Sequence, residues 1–397
     1  MILPLLYPLL SQPWAGMAVG AGIAVIGSLV AIGLQRLQPE PRSVWSRAGT
    51  LVVLVAGASS AILLWGGITS FVDISRLALD HPPPGTLVNV GGYQMHILAE
   101  GDPGDGPTVI WIPGGHGQGL ALYHVHAAIR DETRSILFDR PGTGWSDPGP
   151  FPRRTALEAE ELATLLDGAG EAGPFVVAGH SYGGLLAANF ARRYPDRTAA
   201  IVLLDASPPD AFIYAPAYGA GALEELVKDA ERQGLAKVFG GWTDPGDALA
   251  ETDTEIGEIV RNQRRLLAEV GDAVEANRRH PASSFAEASI FREFAADAVS
   301  ATAPDLMVYD GELGDMPVLV VIPDESAAGI IEPLGMDDAS ATRAINFFER
   351  VRVRYLEVSS DARLIHTPPG TEHNYPYQTP EFVVGVVRDL LAELSTG

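Results

Sequence analysis

The chain contains no cysteine, which removes disulfides, thiolate metal sites and a cysteine nucleophile, and leaves its redox compartment open. Basic residues are few: 27 Lys and Arg stand against 50 Asp and Glu, a formal net charge of -23. A concentrated cationic surface for a phosphate backbone is therefore missing, and nucleic acid is not an expected partner. Charge of either sign is absent from Met1 to Gln35. With 397 residues, the chain has room for one large domain and appendages.

The uncharged start holds the unbroken run Ala15–Leu34, and a second such run covers Leu51–Phe71. Each matches the ~20 residues a helix needs to cross a bilayer. A cleaved signal peptide usually carries a basic leader, which is absent before Ala15, and it would leave the second run unexplained. The pattern predicts a membrane anchor over 1–80 with two spanning helices at about 14–34 and 50–71. Gly16 and Gly20 on one helix, and Gly57, Ala58, Ser59 and Ser60 on the other, offer small residues for close packing. Arg36, Arg42 and Arg47 in the connecting segment face only Glu40. The positive-inside rule keeps that loop cytoplasmic, so the expectation is a multi-pass cell-membrane protein with its remaining mass on the extracytoplasmic side.

After the stiff connector HPPPG at 81–85, short β-branched apolar runs alternate with helical stretches. Thr86–Val90 and Tyr93–Ala99 flank Gly91-Gly92 as a hairpin. Thr108–Ile112, Ser135–Phe138, Pro174–Ala178, Ala199–Leu204 and Pro317–Ile322 read as strands buried on both faces. Helical spacing marks Ala156–Leu166 and Leu185–Tyr194. This order predicts a three-layer α/β fold around a mostly parallel central sheet. Ser207–Asp315 breaks the rhythm with acidic helical stretches such as Gly221–Gln233 and Glu255–Glu275. It is too long for a loop and reads as a helical cap inserted after the sixth strand. The expected division is a core of 81–206 and 316–397, with the cap at 207–315.

Chemistry concentrates at VVAGHSYGGLL, Val176–Leu186. Gly179-His180-Ser181-Tyr182-Gly183 fits G-x-S-x-G, with a buried strand before it and a helix after it, the context of a nucleophile elbow. The glycines allow a bend sharp enough to present Ser181 Oγ at a helix N-terminus, where developing negative charge is favoured. A serine hydroxyl needs a base. His373, in the turn PPGTEHNY after the last strand-like run, is the expected one; His124 and His126 fall in a helix and His280 in the cap. For the carboxylate that orients the imidazole, Asp205 at the end of AAIVLLD is preferred and Asp324 at the end of PVLVVIPD is the alternative. The oxyanion hole is expected from the backbone N–H of Tyr182 and that of Gly115, or else His116, in PGGHGQG. The HVH pair at 124–126 points to two helix faces, so no metal site is expected. With no phosphate loop or dinucleotide fingerprint, no cofactor is expected either.

These motifs, with ANFARRYPDR, the turn DRPGTGWSD at Asp139–Asp147, LLDAS at Leu203–Ser207 and the closing GTEHNYPYQTPEFV, make the chain resemble the α/β-hydrolase superfamily over about Thr86–Leu394. The resemblance implies Ser181 as nucleophile, His373 as base, Asp205 or Asp324 as acid, and Gly115 with Tyr182 at the oxyanion. His116 and Trp145 are expected near the pocket. Pro113-Gly114 stands where the family often has His-Gly. The family's haloalkane and epoxide branches carry Asp at the elbow, so Ser181 argues against both. The resemblance implies a serine hydrolase, with a carboxylic ester as the leading substrate and amide, thioester and cofactor-free peroxidase chemistry left open; its partner is a small-molecule acyl substrate, a lipid among the candidates. The alternative is a catalytically silent hydrolase fold serving as a membrane scaffold.

Overall fold

A computed structural model describes residues 3–36, 44–102, 104, 106–209, 222–252, 255–294, 306–324 and 337–396. The segment carrying Glu40 and Arg42, on which the expected orientation leaned, and parts of the expected cap lie outside the described residues.

Three helices open the chain: α1 (Leu3–Leu10), α2 (Ala15–Arg36) and α3 (Val44–Asp80). The core then begins with β1 (Thr86–Asn89), β2 (Gln94–Glu100), β3 (Thr108–Ile112), α4 (Tyr123–Ile129), β4 (Ser135–Phe138) and α5 (Thr155–Ala169). It continues with β5 (Phe175–His180), α6 (Tyr182–Arg193) and β6 (Thr198–Leu204). Between β6 and β7 lie α7 (Ala222–Val238), α8 (Pro245–Ala250), α9 (Glu255–Leu266), α10 (Gly271–Arg278) and α11 (Pro281–Phe294). The chain ends with β7 (Val318–Ile322), α12 (Asp338–Val351), β8 (Ala362–His366), α13 (Tyr375–Gln378) and α14 (Pro380–Leu394).

The eight strands form one sheet in the order β1-β2-β4-β3-β5-β6-β7-β8. The β1–β2 and β2–β4 pairs are antiparallel, and every other pair is parallel. Strand alternation divides the core between the two faces. Ile110 and Ile112 of β3 and Val177 of β5 pack with Leu162, Leu166 and Phe190 of α5 and α6. Val109, Trp111 and Val176 face the other way, onto Val125, Ile129, Val383 and Val387 of α4 and α14. Because both faces are covered, these strands read as continuous apolar runs.

Three expectations need correction. The helix expected over Glu255–Glu275 is two helices, α9 and α10, with Gly271 opening the second; the glycine's low helix propensity marks the break. Apolar α1 was not anticipated, because Pro4 and Pro8 interrupt the pattern that announces a helix. The second long run continues well past Phe71, to Asp80. Gly57–Asp80 is long and apolar enough to cross a membrane, whereas Leu3–Leu10 and Ala15–Val30 pass that test only together, as a pair bent by 118°.

The small residues of α2 do meet α3, but opposite a different partner set from Gly57–Ser60. A Cβ on Gly16 would stand 2.7 Å from Gly67 Cα, and one on Gly20 would stand 2.7 Å from Leu64 Cα. Both approaches are closer than real Cβ atoms allow, so glycine sets the distance between the two helices.

Candidate active site

The last residue of β5 is His180 and the first of α6 is Tyr182, leaving Ser181 alone as the joint. Its φ of 54° and ψ of -123° fall outside the regions that L-residues usually occupy. The joint is held from three sides: Ser181 N–H donates to Leu204 O at 3.0 Å, while Ser181 O accepts from Gly184 N and Ser207 N, each at 2.9 Å. Glycine is required where the backbones crowd. A Cβ on Gly179 would lie 2.6 Å from Gly184 N, and one on Gly183 would lie 2.7 Å from Pro113 O. Tyr182 is locked from below by its hydroxyl, which donates to Glu158 Oε2 at 3.0 Å.

The structure brings His373 to Asp205. His373 Nδ1 stands 2.6 Å from Asp205 Oδ2, so a proton on Nδ1 is donated to the carboxylate and Nε2 is left without a proton, able to act as a base. Asp205, the residue directly after β6, has φ 41° and is the second non-glycine residue with positive φ among those described. Burial works to raise its pKa, but the His373 hydrogen bond and the His373 and Arg352 charges outweigh it and hold the carboxyl below its ordinary value. Arg352, itself buried, reaches the same carboxylate with Nη2 at 3.4 Å from Oδ2. Asp324 is used differently: its Oδ2 accepts from Gly370 N at 3.3 Å and its own N–H donates to Thr367 Oγ1 at 2.9 Å. It therefore caps the turn that carries His373. Glu325, beside it, lies outside the described residues. The His373 ring is hydrogen-bonded to Asp205 and not to Ser181; catalytic hydrogen bonds of this kind often tighten only once substrate binds.

His180, the variable position of the elbow motif, supports this arrangement. Its Nε2 donates to His373 O at 2.9 Å and the two rings lie 4.7 Å apart. Burial, with the His373 charge beside it, lowers its pKa to about 3. It is thus neutral at ordinary pH, as a donor to a carbonyl needs only one proton.

Across from the elbow, the turn after β3 is organised by Arg140 of the DRPGTG motif, a side chain only 1% exposed. Its Nη2 donates to Pro113 O at 3.3 Å, Gly115 O at 2.6 Å and Gly117 O at 3.2 Å. In a trans peptide the N–H points opposite the C=O. Drawing these carbonyls to one cation therefore turns the N–H groups of Gly114, His116 and Gln118 away from it. Gly114 is the residue that lies against the elbow, since a Cβ there would stand 3.0 Å from Ser181 Cβ. Gly115 adopts φ 51°, and its neighbour across the gap is Glu287 of α11, whose Oε1 is 3.5 Å from where a Gly115 Cβ would be. We expect Arg140→Met to lower the rate of ester hydrolysis roughly a hundredfold with little change in KM, as for loss of an oxyanion donor. Steady-state kinetics on a chromogenic ester would check this; an unchanged kcat would mean the turn keeps its shape without Arg140.

His116 and Trp145, expected near the pocket, are both committed to packing. His116 is buried with Nε2 3.3 Å from Pro141 O, and Trp145 Nε1 donates to His81 O at 2.8 Å, tying the core to the connector after α3. His124 and His126 do lie in α4 and diverge, to Pro376 O and to Ser135 with Glu100. Among the described residues no cluster of His, Asp and Glu is placed to hold a metal. Arg140, His180, Arg352 and Glu287 were not singled out for the site from sequence. Arg140 lay inside a recognised motif, while nothing local marked Arg352 or Glu287, whose roles come from long-range contacts.

Several histidines are buried without charge. His180 at about 3 and His280 at about 4, the latter lowered by burial and by Lys237, both sit below the ordinary 6.5. Between those values and 6.5 the unfolded chain binds more protons than the folded one. The histidine contribution to stability should therefore fall as pH drops from 6.5 to about 4, opposed by Glu275 and Glu293, whose pKa values of about 7 leave the folded chain holding extra protons there. Denaturant midpoints of the full chain and of His280→Gln in detergent separate the two: the midpoint of the variant should gain on that of the parent as pH falls through the window, and a constant gap would contradict it.

The model of the alpha/beta hydrolase fold family matches residues 107–237, from the start of β3 through the elbow into α7. Lipase LipV of Mycobacterium tuberculosis is 39% identical over 114 residues, covering 28% of this chain and 41% of that protein. An uncharacterized vacuolar membrane protein of Saccharomyces cerevisiae is 31% identical over 133 residues, 28% of this chain and 20% of that protein. The chain thus spans less than half the length of these curated relatives. An esterase from Thermogutta terrifontis superposes with a TM-score of 0.51 at 21% identity, over 78% of this chain and 98% of that one. With its strand order, its strained serine between β5 and α6, and the family match over 107–237, the chain has the α/β-hydrolase fold.

Proposed function

We propose that this protein is a membrane-associated serine hydrolase that cleaves an ester or related acyl bond. The observation that carries the reading is the alignment of a strained Ser181 at a helix N-terminus with a His373–Asp205 pair, on strand ends of one sheet. Ser181 Oγ attacks the acyl carbonyl while His373 Nε2 takes its proton, and Asp205 stabilises the imidazolium that results. The N–H of Tyr182 and those of the turn held by Arg140 receive the developing oxyanion. His373 returns the proton to the leaving alcohol, which departs and leaves an acyl-enzyme. Water, activated by the same imidazole, then releases the acid and restores Ser181. The named lipase and esterase among similar proteins support hydrolysis as the class of reaction.

Membrane association rests on α2 and α3, joined closely through Gly16, Gly20 and Gly67, and on the vacuolar membrane protein among the relatives. We read α2 and α3 as a hairpin that anchors the hydrolase, with the hydrolase domain on the extracytoplasmic side. Labelling with a fluorophosphonate probe, on full-length protein in detergent, tests the catalytic reading. A folded protein that neither labels nor hydrolyses short- and long-chain esters would favour the silent scaffold instead.

A further inference from the structure

Helix α1 does not extend α2 but lies across the cap. Tyr7 and Leu10 are buried against Val227, Ala230, Phe285 and Ala288 of α7 and α11. Tyr7 OH donates to Glu231 Oε1 at 2.5 Å, and Arg292 joins them, with Nε 3.2 Å from Tyr7 Oη and Nη2 2.7 Å from Glu231. The opposite side of α1 is apolar too, with Leu5 79% exposed and Leu6 and Leu9 each 40% exposed. Trp14, in the bend before α2, is 43% exposed. A short helix that is apolar on both sides, ending in a tryptophan and turning through 118° into a long apolar helix, fits the bilayer interface.

Beside α1 is a cavity of about 470 Å³. Its apolar wall comes from Leu5 and Pro8 of α1 and from Phe151 and Pro152 opposite. Its polar end is lined by Arg153, Arg154 and Arg292 and by one carboxyl, that of Glu293. Arg153 is paired with Glu158 and Glu161, and Arg292 with Glu231, so Arg154 is the cation there that holds no ion pair among the described residues. Arg153 is bound by Glu161, yet its buried Nε has no partner among the described residues. Arg154 is exposed, and although its carbonyl accepts from Glu158 N at 3.0 Å, its guanidinium makes no hydrogen bond or ion pair among them. Glu293 accepts from Thr155 N and Oγ1, at 2.9 and 2.8 Å, and burial pushes its pKa up to about 7, so it opposes an anion only weakly. The volume lies in the range of small-molecule sites.

We infer that this cavity binds an anionic amphiphile supplied by the bilayer, its chain along α1 and Phe151–Pro152 and its carboxylate or phosphate at Arg154. The site is separate from the catalytic serine. It reaches the elbow through Glu293, Thr155 and the Tyr182 hydroxyl, which lies 3.3 Å from Thr155 Oγ1, and through Arg153 and Glu158, which accepts from that same hydroxyl.

The test uses the full chain in nanodiscs of phosphatidylcholine, with a diazirine-bearing hexadecanoic acid and the diazirine alcohol of equal length. Photolabelling is mapped by peptide mass spectrometry. The acid should label the peptides containing residues 4–8, 151–154 or 289–293, and should do so equally in Ser181→Ala. Arg154→Glu should reduce that labelling roughly tenfold, the loss expected for one charged contact, while Arg154→Lys keeps it. Dodecyl phosphate should compete and inorganic phosphate should not. Competition by inorganic phosphate would replace the bilayer source with a soluble anion and overturn the inference. Equal labelling by the alcohol, labelling confined to peptides around Ser181, or an unchanged yield in Arg154→Glu would each overturn it as well. Because labelling is read in Ser181→Ala too, failure here leaves the catalytic reading untouched.

Discussion

Ser181→Ala should abolish fluorophosphonate labelling and lower ester hydrolysis on the order of 10⁴-fold or more, while leaving the fold intact. The separation of those two effects follows from the local geometry. Alanine keeps the Cβ, so the strain of φ 54° is the same in both proteins, and the joint is held by backbone hydrogen bonds to Leu204, Gly184 and Ser207. The serine hydroxyl contributes nothing that the fold depends on. Circular dichroism and thermal unfolding should therefore coincide for the two proteins. Labelling that survives the substitution would move the nucleophile to another serine. If neither protein labels and both are folded, the scaffold reading takes its place.

Asp205→Asn should come next in size, with a loss of about 10⁴-fold in kcat, the scale expected when the acid of such a triad becomes an amide. The amide oxygen and nitrogen cannot both reproduce the carboxylate's role. An NH₂ facing His373 Nδ1 selects the wrong tautomer, and a neutral partner no longer stabilises the imidazolium. Asparagine tolerates positive φ as well as aspartate does, so the backbone at φ 41° is not disturbed. Buried Arg352 would lose its Asp205 counter-charge, however, so some stability should be lost along with activity. Asp324→Asn is the control: it weakens the cap on the turn at Gly370 and should leave kcat near that of the parent protein. Silencing by Asp324→Asn with activity retained in Asp205→Asn would reverse the assignment of the acid.

Much of the architecture was visible along the chain because its cause is local. A strand buried on both faces has to be apolar throughout, so β3, β5, β6 and β7 appear as short uninterrupted runs. A bend between strand and helix leaves its glycines in plain view at 179, 183 and 184. The insertion between β6 and β7 is visible from its length alone. Helix α1 was hidden because its two prolines and eight residues carry no periodic signal, and the cap that shelters it is more than two hundred residues away. The break at Gly271 was passed over because helical spacing continues on both sides of it.

Read alone, the chain shows a sheet covered on both faces, a serine among glycines at a strand-to-helix bend, and two long apolar runs within its first eighty residues. Hydrophobic periodicity, glycine and the absence of charge act over a few residues, so they can be read one segment at a time. Which carboxylate meets His373, why His180 stands in the elbow, and how Arg140 gathers three carbonyls were decided only by the tertiary structure. Each depends on groups that are far apart in the chain and meet within about 3 Å because the sheet sets neighbouring strand ends side by side. The distance between Asp205 and His373 spans 168 residues of sequence and is a consequence of strand order, which no local pattern encodes.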